Sequence, residues 1–144
     1  MRKRAFICSS LRTLEIREEN EKIATVTNET GFDLYLPQRG LPYGVVRDPK
    51  LIFETNCREI DKSYFMIVNT NGLLYSEEKI KGNSLSRNIM EGAGVEFEWG
   101  CGYGKRKPIV VYSKVSDAPF PRNFTTHTLE ELRQKLLEIA EKGF

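Results

Sequence analysis

Histidine and cysteine, on which most transition-metal sites and all disulfides depend, are scarce in this sequence. Its 144 residues include one histidine and three widely spaced cysteines, Cys8, Cys57 and Cys101. An odd number of isolated cysteines is typical of free thiols in a reducing compartment. A lone histidine with no cysteine cluster beside it argues against a structural zinc site. We therefore expect no metal, no cofactor and no disulfide.

A strong net charge and a long apolar run are also missing. The 22 lysines and arginines face 20 aspartates and glutamates, for a formal net charge of +2, which predicts no basic surface for a nucleic acid polymer. No apolar run approaches the roughly 18 residues of a membrane span, and the run after the basic start is too short for a signal peptide. We expect one cytoplasmic domain over residues 1–144, with no membrane partner.

Short apolar runs alternate with helical patterns along the chain. Strands are predicted at 5–8, 33–36, 64–68 and 108–112. The helical patterns cover 11–29, 48–60, 94–103 and the residues after 128. The order predicts an α/β fold: a single three-layer domain with a mostly parallel, five-stranded, flavodoxin-like or Rossmann-like sheet and helices on both faces.

Two helix starts carry clear capping signals. Asp48 followed by Pro49 is the pattern of an N-cap and a first helical residue. Thr128 and Glu131 have the spacing of a capping box. These two helix starts are therefore predicted to the residue.

Binding sites in parallel sheets lie beyond the carboxyl ends of the strands. Two polar loops follow predicted strands here, one with Ser9, Ser10 and Arg12 and one with Asn69 and Asn71. A long polar segment, 72–92, has no sustained period and is predicted to be a functional lid or a mobile connection. We expect these segments to border a ligand crevice.

A third segment at that edge is rich in glycine and contains two glutamates. Gly92 and Gly94 allow a close approach of backbone to ligand, and Glu96 and Glu98 are placed in the first turns of the helix that follows, where its dipole stabilises a carboxylate. Residues two apart do not share a helix face. Only one glutamate is therefore expected to face the crevice, unless both are simply solvated.

The same segment resembles the nucleoside 2-deoxyribosyltransferase family, including its relatives that hydrolyse 2'-deoxynucleoside 5'-monophosphates. The resemblance is carried by Gly94, by Phe97-Glu98-Trp99-Gly100 and by Lys107-Pro108-Ile109. Two further segments, 6–12 and 52–68, agree in order and spacing. The resemblance implies that Glu98, not Glu96, is the nucleophile.

The resemblance also implies substrate contacts. Arg12, with Ser9 and Ser10, matches a strand-and-loop that contacts a 5'-phosphate. Asn123 lies where family members offer an asparagine to a neighbouring subunit's substrate, which implies a homo-oligomer. Asn69, Asn71, Gly92 and Gly94 complete the expected set of substrate-binding residues.

At three positions this sequence differs from the residues that usually assist the nucleophile in the resembled family. Phe6 stands where many relatives have a tyrosine, Tyr64 where they have an aspartate that assists the leaving base, and Asn71 where they often have an acid. Tyr64 either donates a proton itself, as a second catalytic residue, or packs in the core.

The predicted activity is cleavage of the N-glycosidic bond of a nucleoside or nucleoside 5'-monophosphate, by hydrolysis or base exchange. Such cleavage passes through an oxocarbenium-like state that a carboxylate can trap. Two alternatives stay open. Segments 6–10 and 60–68 also resemble TIR-like domains, some of which cleave NAD, and the changed helpers are compatible with a non-catalytic nucleotide-binding module.

Overall fold

The computed structural model describes residues 1–41, 48–72, 85–114 and 120–144, and for 85–93 the backbone alone. The strands are β1 (Arg4–Ser9), β2 (Asp33–Tyr35), β3 (Phe65–Asn69), β4 (Ile109–Tyr112) and β5 (Phe124–Thr126). The helices are α1 (Leu14–Glu29), α2 (Pro37–Gly40), α3 (Pro49–Lys62), α4 (Leu85–Gly104) and α5 (Leu129–Lys142).

The five strands form one parallel sheet in the order β2-β1-β3-β4-β5. From β1 the chain continues to β2 on one side and then crosses back to β3 on the other side of β1, so the switch point of the strand order lies between β1 and β3. There Cys8 is paired with Val68, and Ser9 with Asn69. The carboxyl ends of these two strands therefore meet at the crevice of the fold.

Alternate side chains of the strands build two cores, one on each face of the sheet. Ala5 and Ile7 belong to the core under α1 and α5, whereas Phe6 and Cys8 belong to the core under α3 and α4. Every residue of β3 is buried, as a central strand covered on both faces must be. The predicted three-layer α/β fold is confirmed.

Local capping signals predicted helix starts correctly. The Asp48 side chain accepts from the backbone of Lys50 and Leu51, with Pro49 at the first helical position. Thr128 accepts from the backbone N–H of Glu131, whose carboxylate in turn accepts from the N–H of His127 at 2.7 Å. Among the described residues, none of the helices has the length and apolarity of a membrane span.

Two predictions about irregular segments were wrong in part. Helix α4 begins at Leu85, not near Gly94, so residues 85–92 of the predicted lid are helical; residues 73–84 lie outside the described part of the chain. Gly40, Pro42 and Gly44 predict a loop at 38–46, but this segment contains the end of α2, and its residues 42–46 also lie outside the described part. Tertiary packing overrides the weak helix propensity of such glycine-rich or polar stretches.

Candidate active site

Glu98 lies in the interior of α4, well past its first turn. The prediction that the dipole at a helix start stabilises this carboxylate is therefore wrong, because that effect falls off within the first turn. Gly92 and Gly94 are also inside α4 and not at its start. Their contact with a substrate stays a prediction. The protonation of Glu98 depends instead on the residues that other elements of the fold pack against it.

Two other elements contact the Glu98 carboxylate. Asn56 of α3 donates from Nδ2 to Oε1 of Glu98 at 2.9 Å. The thiol of Cys8, the penultimate residue of β1, donates to the carbonyl oxygen of Val95 at 3.2 Å and lies beside the same carboxylate, whose pKa it lowers. The carboxylate thus lies where α3 and α4 cover the carboxyl-terminal part of β1.

Burial sets the protonation state of this group. Loss of solvent raises the pKa of Glu98 from its ordinary range to about 7, against the hydrogen bonds from Asn56 and Cys8, which lower it. Burial, followed by the charge of Glu98, raises the pKa of the Cys8 thiol well above its usual range. Cys8 therefore stays a neutral thiol, able to donate, while Glu98 titrates near neutral pH. A carboxyl group so poised is typical of catalytic sites.

Contacts between α3 and α4 flank the Asn56–Glu98 hydrogen bond. The rings of Phe53 and Phe97 lie 3.8 Å apart between centroids. The sulfurs of Cys57 and Cys101 also lie 3.8 Å apart. These contacts fix the two helices side by side, so the Glu98 carboxylate is held in a defined position.

A tyrosine of the neighbouring strand lies near this carboxylate. Tyr35 of β2 is paired with Phe6 of β1, and the two rings stack at 5.6 Å between centroids. Its pKa is raised by burial first, then by the charge of Glu59, and further by that of Glu98. Phe6 has no hydroxyl to offer Glu98, whereas the Tyr35 phenol on the adjacent strand is close enough for the charge of Glu98 to raise its pKa.

The loops after β1 and β3 meet at the crevice, as predicted. Ser10 is 9% exposed, and its Oγ accepts from the backbone N–H of Arg12 at 3.4 Å. A Cβ at Gly72 would come within 2.8 Å of the Ser10 Cβ, so the close approach of these loops requires glycine there. Ser9 ends β1, and its hydroxyl donates to the carbonyl of Ser10 at 3.0 Å. Arg12 is exposed beside the start of α1.

Asn69 and Asn71 belong to a polar network at the same edge. Both donate to Oε1 of Glu19 on α1, at 3.0 and 2.8 Å. Lys114 donates to the other carboxylate oxygen at 2.9 Å. These hydrogen bonds lower the pKa of Glu19, although burial opposes them as the largest single influence. The two asparagines therefore hold a charged carboxylate that no motif in the sequence marks.

Two predicted site residues lie at the opposite end of the sheet, beside the amino-terminal ends of the strands. Tyr64 precedes β3, packs against Phe65 and Phe144, and carries Lys3 over its ring at 4.1 Å. Asn123 exchanges hydrogen bonds with the backbone of Ile109, at the start of β4. Tyr64 is 36% exposed, so it is not a core residue, and it precedes β3 whereas Glu98 lies by the carboxyl-terminal part of β1. Its role as a second catalytic residue stays a prediction.

Asn123 lines a cavity at the amino-terminal end of the sheet. The cavity measures about 560 Å³, and its walls include Arg106, Lys107 and Arg122. A role for Asn123 toward a neighbouring subunit's substrate, and the homo-oligomer it implies, stay predictions. Trp99, by contrast, is a core residue whose indole donates to the carbonyl of Pro121 at 2.8 Å.

Sequence reasoning missed Asn56, although a signal existed. Asn56 and Ile60 are the buried residues of α3, and they stand four apart, on one helix face. A polar residue at a core position requires a partner. Asn20 of α1 and Ile23 offered the same signal for the network at Glu19. Within the described ranges, no three metal-binding side chains gather.

Comparisons with known proteins show the fold. No protein-family model and no curated protein sequence matches the chain. Among solved structures, a 2-deoxyribosyltransferase from Bacillus psychrosaccharolyticus superposes with a TM-score of 0.69 at 12% identity, covering 92% of this chain and 95% of that one. A conserved protein from Enterococcus faecalis V583 has a TM-score of 0.67 at 16% identity, covering 94% and 98%. The chain therefore has the fold of a 2-deoxyribosyltransferase, as the resemblance in its sequence predicted.

Proposed function

We propose that this protein cleaves the N-glycosidic bond of a nucleoside or nucleoside 5'-monophosphate, with Glu98 as its nucleophile. One observation carries the proposal: the carboxylate predicted from the motif is half-buried between α3, α4 and β1 and hydrogen-bonded to Asn56, with a pKa of about 7. The fold shared with a 2-deoxyribosyltransferase supports the same reaction class.

The reaction has two steps with Glu98 as the covalent carrier. A carboxylate oxygen bonds to C1' of the sugar while the C1'–N bond breaks, and its electron pair leaves with the base, which takes a proton. In the second step, water or another base bonds to C1', the bond from C1' to the carboxylate breaks, and the attacking group releases its proton. Water gives hydrolysis and a base gives exchange.

Groups at the crevice suit a 5'-phosphate. The Arg12 guanidinium and the hydroxyls of Ser9 and Ser10 stand at the carboxyl end of β1, where α1 begins. Charge-assisted hydrogen bonds from a planar guanidinium favour a phosphate, and the positive end of a helix dipole adds to this. We extend the proposal to nucleoside 5'-monophosphates on this ground.

The test is a screen of nucleosides and nucleotides for released base, followed by mass spectrometry, with and without a second base as acceptor. Glu98→Gln is expected to lose at least 100-fold in rate while it still binds substrate, since one covalent route is removed (an order-of-magnitude expectation). Glu96→Gln is the matched control, because Glu96 is an exposed residue of the same helix.

Three outcomes contradict the proposal. Release of base at equal rates by wild type and Glu98→Gln excludes the nucleophile. Turnover of NAD alone supports the TIR-like alternative. Binding without turnover of any nucleoside or nucleotide supports a non-catalytic module.

A further inference from the structure

Asn56 is the residue whose placement the proposed reaction does not by itself explain. Its side chain is 4% exposed. One half of the amide, Nδ2, donates to Glu98, while the other half, Oδ1, is buried without a hydrogen-bond partner among the described residues. An unpaired buried carbonyl oxygen costs free energy. A leucine of similar size would fill this position without that cost, so packing alone does not explain an amide here.

The partner of that amide is Glu98, whose carboxyl group is about half ionised near neutral pH. An N–H donor stabilises the carboxylate and not the neutral acid. The titratable groups that the described residues place against Glu98 are Cys8 from β1, Tyr35 from β2 and Cys57 from α3, and burial raises the pKa of each. All three are therefore uncharged at neutral pH and offer no opposite charge. Apart from the weak thiol donor, the Asn56 amide is what favours ionised Glu98.

We propose that Asn56 is a positioning residue for Glu98: its amide holds Oε1 by a hydrogen bond and favours the carboxylate over the neutral acid, which leaves Oε2 to bond to C1'. This inference rests on the proposed function for the reaction, but the hydrogen bond and its electrostatic effect stand on the geometry alone. It gives the chain a substitute for the strand-one tyrosine, whose place Phe6 occupies.

The inference is tested in the free protein by carbon-13 NMR titration of the glutamate carboxyl groups, with the Glu98 signal identified by its loss in Glu98→Gln. Asn56→Leu keeps the size of the side chain and removes the donor. It is expected to raise the Glu98 pKa by about 1–2 units, the range for one hydrogen bond to a charged group. Asn56→Asp is expected to give a coupled pair of acids whose upper titration step lies above the wild-type Glu98 pKa.

Asn20→Leu is the matched control for this pKa. Asn20 is fully buried in α1, on the opposite face of the sheet, and its side chain bonds to Asn69 and Gln38. The same chemical change there is expected to leave the Glu98 pKa unchanged. Circular dichroism establishes that each variant is folded.

If the protein releases base, the acidic limb of the kcat/KM profile of Asn56→Leu moves to higher pH by the same 1–2 units, and kcat at neutral pH falls more than KM rises. A Glu98 pKa that stays in place in both folded Asn56 variants overturns the inference, whatever the activity. Absence of base release by wild type overturns the proposed function alone, because the titration still decides whether Asn56 controls Glu98.

Discussion

The sulfur of Cys57 on α3 lies 3.8 Å from the sulfur of Cys101 on α4. Both cysteines are free and partly exposed. Side-chain rotation can bring such a pair to bonding distance, about 2.05 Å. The contact sits beside the Asn56–Glu98 hydrogen bond and provides a direct test of the α3–α4 packing.

We expect a small disulfide reagent to join Cys57 and Cys101. The two thiols lose two protons and two electrons, and the reagent is reduced to two thiols. Burial, followed by the hydrogen bond with Cys101, raises the pKa of Cys57 to about 11, so cross-linking should speed up as the pH rises above neutral. Intact mass and peptide mapping measure the product. In Cys101→Ser no internal cross-link should form, and a bond to Cys8 instead would show that the helices pack differently.

We expect a side chain at Gly102 to destabilise the packing of α4 against β3. A Cβ at this position would overlap the sulfur of Met66, which is fully buried in β3. Gly102→Ala should therefore lower the free energy of unfolding by about 1–3 kcal/mol, the usual cost of overpacking a core. In Gly100→Ala the added methyl meets nothing within 4 Å, and alanine should stabilise the helix by about 0.5–1 kcal/mol. Denaturant unfolding compares the two, and equal effects would contradict the close approach of α4 to β3.

The stability of the fold should depend on pH through Glu98. Its pKa is about 7 in the folded chain and near its ordinary 4.5 when unfolded. Because the folded value is the higher one, the protonated group favours folding, and its contribution is fully present below about pH 4.5 and lost as the pH rises through about 7.

Glu98→Gln removes that dependence. At pH 8 the variant should be more stable than wild type by up to about 3 kcal/mol, at 1.36 kcal/mol for each pKa unit, and at pH 4 the two should be alike. Denaturant melts across this range measure the difference, with Glu96→Gln as the control that follows wild type. Parallel curves for Glu98→Gln and wild type would exclude a raised Glu98 pKa.

Arg12 should decide the preference for a 5'-phosphate. Loss of one charged hydrogen bond lowers affinity by about 10- to 100-fold. Arg12→Ala should weaken nucleoside 5'-monophosphates by that factor and leave the matching nucleosides unchanged, as measured by calorimetry. A preference for the phosphate that survives the substitution would place the phosphate contact elsewhere.

The sequence by itself determined the local features of this protein. A continuous apolar run such as Phe65 to Val68 specifies a buried strand, because a strand that helices cover on both faces of the sheet has a nearly continuous apolar sequence. Asp48 and Thr128 specify helix starts because their side chains satisfy backbone N–H groups within three residues. The motif around Glu98 pointed to the residue at the centre of the proposed reaction.

Only the tertiary structure decided what surrounds that residue. The true start of α4 at Leu85 escaped prediction, because glycines at 92 and 94 weaken local propensity while packing on the sheet overrides it. Asn56 and Glu98 are 42 positions apart in the sequence. The residues around either one do not indicate that the two side chains are in contact. Tyr64, which the resemblance implied as a site residue, lies before β3, at the amino-terminal end of the strand. A pKa near 7 depends on burial and on distant donors, and these exist only after the helices have packed against β1.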